Sequence, residues 1–230
     1  MDPKVTALMP MKGQSERVRQ KNTRPLMGRP LFEHVLSSVL GATSVQEVIV
    51  DTDSEDITAM IHERFPSVRV IPRPERLLGG KIPLTPIIDY DLGFATLEHF
   101  LQTHATNPLL TSRTIDRAVA RYFEALQEGY DSLMAVNAYQ TRFYDDAGRP
   151  VNHNPEKMIP SQDMPCFYED NSNLYITSVA TFRKMGRRVG ARPAFFVMSR
   201  LESADIDEEE DFELAEALCA HRATRQGGGS

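Results

Sequence analysis

Between Val5 and Val136 the sequence switches repeatedly from short apolar runs to segments with apolar residues at helical spacing, and few folds accommodate that alternation. Val5-Thr6-Ala7-Leu8-Met9 is apolar at successive positions, as a strand covered on both faces requires. Residues 30–40 then place Leu31, Val35 and Val39 on one helical face, with Pro30 suited to a first turn. Val48-Ile49-Val50 ends on Asp51-Thr52-Asp53, and Asp53 or Ser54 is placed to cap a helix bearing Ile57, Met60 and Ile61. Val68-Arg69-Val70-Ile71 makes a third strand, stopped by Pro72 and Pro74. The pattern continues with a helix over about 86–95, a strand over 99–103, a helix over 111–127 and a strand over 132–136. Strands and helices joined by short links imply right-handed crossovers, so the expected fold is α/β, with a mostly parallel sheet flanked by helices.

Residues 139–170 interrupt this order. They hold several Pro, Asn and Asp residues and a turn at Asp145-Asp146-Ala147-Gly148, which predicts a hairpin or arm leaving the sheet. The core pattern resumes with Leu174-Tyr175-Ile176, a helix over 179–185, the strand Phe195-Phe196-Val197-Met198 and a closing helix over 208–221. A single domain over residues 1–226 accounts for the length, and Gly227-Gly228-Gly229-Ser230 has the composition of a linker. Two cysteines, Cys166 and Cys219, are too few for a disulfide framework, so a reducing cytoplasm is expected. Met1-Asp2-Pro3-Lys4 has no apolar stretch behind it, and no run approaches a membrane span. A net charge of −6 argues against nucleic acid as a partner.

In an open parallel sheet, ligands bind beyond the carboxyl ends of the strands. Residues 10–24, 51–54, 103–110 and 199–207 fall there, and all are polar. In the first, Gly13 permits close backbone approach to an oxyanion, Ser15 offers a hydroxyl, and Lys12, Arg17 and Lys21 bring charge. Neither GxxxxGK[ST] nor GxGxxG occurs, and a merely solvated basic loop is the competing reading. Asp205-Ile206-Asp207 puts two carboxylates at i and i+2, which on extended chain face the same way and suit a hard cation. A capping box of Asp207 with Glu210 explains part of the same acidity. His104, Thr106 and Asn107 follow a strand and Asn171 precedes one; each is equally open to a structural role.

Taken in order, these segments resemble the acylneuraminate cytidylyltransferases, the CMP-sialic acid synthetases and their relatives that activate the sugar acid Kdo. Met11-Lys12-Gly13-Gln14-Ser15-Glu16-Arg17-Val18-Arg19-Gln20-Lys21-Asn22 stands where that family has roughly ARGGSKGxPxKN. Gly28-Arg29-Pro30-Leu31 is similar to its G-x-P-L, and Val48 to Asp53 to its IIVSTDD. Thr106-Asn107-Pro108-Leu109 is similar to the TSPL of LQPTSPLR, and Ser203 to Glu216 to SIDIDTxEDLELAE. The resemblance implies a Rossmann-like sheet of the nucleotide-diphospho-sugar transferase type and transfer of CMP from CTP to a small acidic acceptor. It assigns catalytic roles to Lys12, Arg17, Lys21 and Asp207, and nucleotide contacts to Lys12, Gly13, Gln14, Ser15, Arg17, Lys21, Asn22 and Asp53. Asp205 and Asp207 become ligands of Mg²⁺, with Mn²⁺ as a substitute, and the 139–170 arm becomes the contact of a homodimer. Acceptor contacts fall to His104, Thr106, Asn107, Glu169 and Asn171.

This chain departs from the pattern in places that concern the acceptor. Glu16 occupies the usual lysine position, with Arg17 beside it, and His104 replaces a glutamine. Glu169-Asp170 stands where the family often has Arg-Pro before the asparagine. A carboxylate at that point repels an anion, so ordinary sialic acid is not the expected acceptor, and another nonulosonic acid or a phosphonate is.

Overall fold

A computed structural model describes residues 3–15 and 17–227; Met1, Asp2, Glu16 and the last three linker residues lie outside the described residues. In chain order the elements are β1 (Val5–Leu8), a two-residue ribbon of β2 (Pro25–Leu26) and β3 (Arg29–Pro30), α1 (Leu31–Leu40), β4 (Val45–Thr52), α2 (Glu55–Arg64), β5 (Arg69–Pro72) and α3 (Leu84–Asp91). They continue with β6 (His99–Thr103), α4 (Ser112–Gln127), β7 (Ser132–Tyr139), β8 (Phe167–Ser178), α5 (Val179–Met185), β9 (Pro193–Val197) and α6 (Glu209–Gly227). Gly227 therefore ends a helix and is not part of a linker.

Seven strands form one sheet in the order β5-β4-β1-β6-β8-β7-β9. Strands β5, β4, β1 and β6 are mutually parallel, as are β7 and β9, while β8 runs antiparallel to both of its neighbours. The mostly parallel sheet is thus as the alternation implies, with one reversed strand. Successive residues of the central strands enter opposite cores, which is why their runs are continuously apolar. Ala7, Val48, Val50 and Leu101 face Phe32, Val35, Ile57, Ile115 and Val119 of α1, α2 and α4. Leu8, Ile49 and Phe100 face Ile88, Leu92 and Phe182 on the other side.

Several boundaries differ from the sequence reading, among them β7, which runs on to Tyr139, and α6, which runs on to Gly227. Helix α3 starts at Leu84, so Pro86 sits in its first turn, where a missing N–H costs nothing. Gly93 and Phe94 close its far end by donating to Tyr90 O and Asp91 O. Strand β8 has twelve residues where only 174–176 look like strand. Its first half is polar, and between Met134 and Val136 of β7 the register jumps from Tyr175 to Asp170. The four residues passed over include Ser172, at φ 58°, which makes this a wide irregularity in a long strand. The excursion consequently shrinks to residues 140–166. It is folded on itself: Gly148 N donates to Asp145 O at the expected turn, Arg142 reaches Ile159 O, and Phe143 N donates to Asn152 Oδ1.

A buried ionic cluster lies under the end of β4. Asp51 and Asp91 are wholly buried, and Arg73 pairs with Asp51 while donating to Met11 O. Both oxygens of Asp91 and Oδ2 of Asp51 have no other partner among the described residues, which a proton shared between the two carboxyls accounts for. Burial, reinforced by the Asp51 charge, pushes Asp91 up to about 8. Asp91 then keeps its proton in the fold and loses it in the unfolded chain between pH 4 and 8. The native state binds more protons there, so this group's contribution falls as pH rises. Asp91→Asn abolishes that loss. In urea unfolding at a series of pH values, variant-minus-wild-type stability should climb from pH 4 to 8, at up to roughly 1.4 kcal/mol per pH unit. A difference independent of pH contradicts the shared proton.

Candidate active site

All four polar segments beyond the strand ends meet. The first loop leaves β1 through Met11, which bridges Thr52 at the end of β4. Asn22 Nδ2 donates to Lys12 O at 2.7 Å, closing the loop, and Gly13 N–H donates to Asp53 Oδ1 at 2.6 Å. A Cβ on Gly13 would stand 2.8 Å from Ser54 Cβ, so only glycine lets the loop lie against this turn. Asp53 therefore positions the loop backbone, and its carboxylate already has a partner. Lys12 is partly exposed, Gln14 is exposed and Ser15 is partly exposed beside it.

The same loop reaches across to the segment before α6. Val18, Leu26 and Leu31 pack with Ile206, Phe212 and Ala215 in a separate small core. Around it, Arg17 pairs with Asp207 at 2.7 Å and Glu208 at 3.0 Å, and Lys21 Nζ donates to Ile206 O at 2.6 Å and lies 3.5 Å from Asp207 Oδ1. Arg24 pairs with Glu209 and lies 4.0 Å over the Phe212 ring. Hydrogen bonds to the neighbouring carboxylates hold Arg17 above its ordinary value, so it stays a cation. The third segment joins through Ile206 N–H, which donates to Thr106 O at 3.0 Å, and Asn107 Nδ2, 3.5 Å from Ala204 O.

Ile206 is wholly buried, so Asp205 and Asp207 share the opposite side of the extended segment, as their spacing predicts. The capping box with Glu210 does not form. Asp211 accepts from Asp207 N and Glu208 N instead, at 2.9 and 2.8 Å, and the Asp207 carboxylate is released toward Arg17 and Lys21. Asp205 Oδ1 is buried without a partner, and burial, opposed by Thr106, pushes the carboxyl up. An orphaned buried carboxylate oxygen beside a second carboxylate fits a hard cation. Among the described residues no third His, Cys, Asp or Glu joins them, so a cation there needs oxygens from its substrate or water, as Mg²⁺ usually does.

Beyond β6 the structure adds residues that the sequence reading passes over. Arg188, in the turn after α5, sends Nη1 to Gln102 Oε1 at 2.8 Å and to His104 Nε2 at 3.2 Å, and Nη2 to the Tyr175 hydroxyl at 2.9 Å. Burial, with Arg188 nearby, pushes His104 down to about 4, so its ring is neutral near pH 7. One signal for this group was visible: Gln102 follows the apolar Phe100 and Leu101 inside a short strand, and the structure buries it wholly.

The other acceptor candidates divide. Thr106 is partly exposed at the site. Asn107 has no exposed surface, so it is a strut between two loops and not a contact for an incoming molecule. Asn171 is likewise buried, taking Asn173 N–H on Oδ1 and donating to Asn137 Oδ1, which makes it part of the β8 irregularity. Glu169 is exposed, but its Oε2 holds the Tyr139 hydroxyl at 2.9 Å and Asn137 Nδ2 at 3.0 Å.

Comparisons with known proteins agree with this geometry. The chain is 27% identical over 221 residues to the N-acylneuraminate cytidylyltransferase of Escherichia coli O18:K1:H7, covering 94% of this chain and 52% of that protein. It spans about half of that relative and of the N-acylneuraminate cytidylyltransferase A of Danio rerio, of which it covers 50% at 24% identity over 92% of this chain. It is 24% identical to the CMP-N,N'-diacetyllegionaminic acid synthase of Legionella pneumophila, covering 94% of this chain and 96% of that one. Among solved structures, a CMP:2-keto-3-deoxy-manno-octonic acid synthetase complexed with CTP superposes with a TM-score of 0.68 at 13% identity, over 95% of this chain and 99% of the other. That likeness is one of fold. The family model described as "Cytidylyltransferase" matches residues 6–228, and the chain belongs to that family.

Proposed function

We propose that the chain transfers CMP from CTP to the hydroxyl of a sugar acid of the nonulosonic class, with release of pyrophosphate. One observation carries the reading: Arg17 and Lys21, from the loop after the first strand, meet Asp207, 190 and 186 residues away, beside the orphaned Asp205. Cations for a triphosphate and carboxylates for its metal thus stand in one place, at the ligand-binding end of the sheet.

In this reading Lys12, Arg17 and Lys21 bind the triphosphate, and Gly13 lets the backbone of the loop approach it. The Arg17–Asp207 pair is half exposed, and such solvent-screened pairs contribute little, so Arg17 exchanges it for a phosphate at small cost. Asp205 and Asp207 would hold Mg²⁺ or Mn²⁺, which supplies charge neutralisation at the α-phosphate when bound. The acceptor oxygen bonds to the α-phosphorus, the α–β bridging bond breaks, the hydroxyl proton passes to solvent, and pyrophosphate departs with its charge against Arg17 and Lys12. The protein's main contribution is alignment of the two substrates in line.

Two further features belong to the proposal. No described helix is long and apolar enough to cross a membrane, and we place the enzyme in the cytoplasm. A homodimer is supported by an exposed apolar face next to the 139–170 excursion, where Tyr168, Phe195 and Val197 are 47%, 46% and 50% exposed and the first two rings lie 5.0 Å apart.

Pyrophosphate release from CTP and a panel of sugar acids should require added Mg²⁺ and fall by roughly 100-fold or more in Asp207→Ala. Undiminished turnover in excess chelator removes the metal, and absence of release with every nucleotide–acid pair leaves a nucleotide-binding relative without catalysis. Arg17→Ala should weaken CTP binding by roughly tenfold or more in calorimetry while the thermal midpoint holds, since this side chain is exposed. Unchanged CTP affinity takes Arg17 out of the site. Phe195→Glu should convert a dimer to monomers in sedimentation velocity; a wild-type monomer at micromolar concentration rejects the interface.

A further inference from the structure

Arg188 is a partly buried cation whose surroundings are neutral. Its guanidinium carbon stands 3.6 Å from the centroid of the Tyr175 ring, and its three hydrogen bonds go to a glutamine oxygen, an imidazole nitrogen and a phenol. Among the described residues no carboxylate lies within 4 Å of it. The contrast with Arg73 is direct, since that buried guanidinium is neutralised by Asp51. The acid whose charge reaches Arg188 is Asp170, and Asp170 is separated from it by the Tyr175 hydroxyl, which it accepts on Oδ1 together with Ser172 N–H. A desolvated cation without a counter-ion is costly to the fold, and an incoming anion relieves that cost.

The donor inventory points the same way. A guanidinium has five N–H groups. Nη1 uses both of its hydrogens on Gln102 and His104, and Nη2 uses one on Tyr175. Nε–H and one Nη2–H remain without an acceptor among the described residues. Two donors on one planar group suit a carboxylate or a phosphonate better than a neutral sugar hydroxyl. The position also fits: His104, which Arg188 touches, lies within electrostatic reach of Lys21 and Asp207. An anion held at Arg188 therefore shares an electrostatic neighbourhood with Lys21 and Asp207.

We propose that Arg188, held in place by Gln102, His104 and Tyr175, is the residue that anchors the anionic group of the acceptor. The inference rests on the reading of this cleft as the acceptor side of a cytidylyl transfer. The anchored group is an oxyanion, either a carboxylate or a phosphonate, and its partner is supplied by the turn after α5 and not by β8. Glu169 and Asp170, already engaged with Tyr139 and Tyr175, are then neighbours of the anion site and not its donors.

The test is direct titration, independent of turnover. N-acetylneuraminate, 3-deoxy-manno-octulosonate and 2-hydroxyethylphosphonate are each titrated calorimetrically into wild type, Arg188→Gln and Arg188→Lys, all saturated with CDP. The acid that binds wild type should lose roughly 30- to 100-fold in affinity in Arg188→Gln and about tenfold in Arg188→Lys, which keeps charge without the planar fork. CDP affinity should change by less than about twofold, which separates anchoring from general damage. Which of the three binds tells carboxylate from phosphonate. Should Arg188→Gln not fold, judged by circular dichroism, Arg188→Lys carries the comparison. Equal affinity in variant and wild type overturns the proposal, as does failure of all three acids to bind wild type. An acid that binds through Arg188 but yields no pyrophosphate with CTP leaves the anchor standing and defeats the cytidylyl-transfer reading instead.

Discussion

The cluster of Val18, Leu26 and Leu31 with Ile206, Phe212 and Ala215 holds the two ends of the chain's functional sequence together. None of the charged pairs around it is strong enough for that task. Arg17 and Asp207 are half exposed, and water screens most of their attraction. Val18 and Ile206, by contrast, have no exposed surface, and burying an aliphatic side chain of that size contributes about 1.5–3 kcal/mol. Apolar packing therefore fixes the register between the loop and the segment before α6, and the ions use it. Because Ile206 points into that packing, alternation sets Asp205 and Asp207 on the other side, with Asp207 half exposed and Asp205 Oδ1 buried. Lys21 secures the arrangement through a backbone carbonyl, Ile206 O, which does not depend on the state of either aspartate.

A second constraint lies beneath the loop. Met11 carries the chain from β1 into the first loop, and it is gripped from below: its N–H donates to Asp51 O, and its carbonyl accepts from Arg73. With Asp53 on Gly13 N–H, the loop is tied twice at the end of β4 and once to Arg73 after β5. The rim of the loop, with Gln14 exposed and Ser15 partly exposed, is where the proposed reading puts the triphosphate. The structure thus separates backbone that must be rigid from side chains that must be available.

Much of this fold was legible because both faces of the central strands are covered, so the strand runs carry few polar interruptions to obscure them. The doubly buried β1, the core-facing residues of α4 and the meeting of four polar segments all follow from that pattern and from strand direction. The first half of β8 was hidden for the opposite reason. Glu169-Asp170-Asn171-Ser172-Asn173 has the composition of a loop, and only pairing with β7 and the Asn171–Asn173 side-chain bonds make it part of a strand. Asn107 and Asn171 were misjudged alike: an asparagine near a cleft looks like a ligand contact until its burial is known. The capping choice at α6 turned on a single residue, since Asp211 takes the Asp207 N–H that Glu210 was expected to serve, and the Glu208 N–H with it. Arg188 offered no local sign, because its partners lie 13 to 86 residues away and nothing in the turn after α5 announces them.

The charge layout explains why the substitution at Glu169 carries less weight than its sequence position implies. An acidic residue repels a ligand only when its charge faces the ligand, and the Glu169 carboxylate is held on Tyr139 and Asn137 along β7. Asp170 is satisfied by the Tyr175 hydroxyl, which in turn bridges to Arg188. The nearby acid thereby orients the phenol that supports the cation, and leaves the cation itself without a counter-ion. Two positive regions result, the loop cations paired with Asp207 and the separate Arg188, with His104 in electrostatic reach of both. Two polyanionic substrates brought into one cleft repel each other strongly at low dielectric. In the proposed reaction, cations divided between these two regions would hold each anion at its own end while the acceptor oxygen and the α-phosphorus approach.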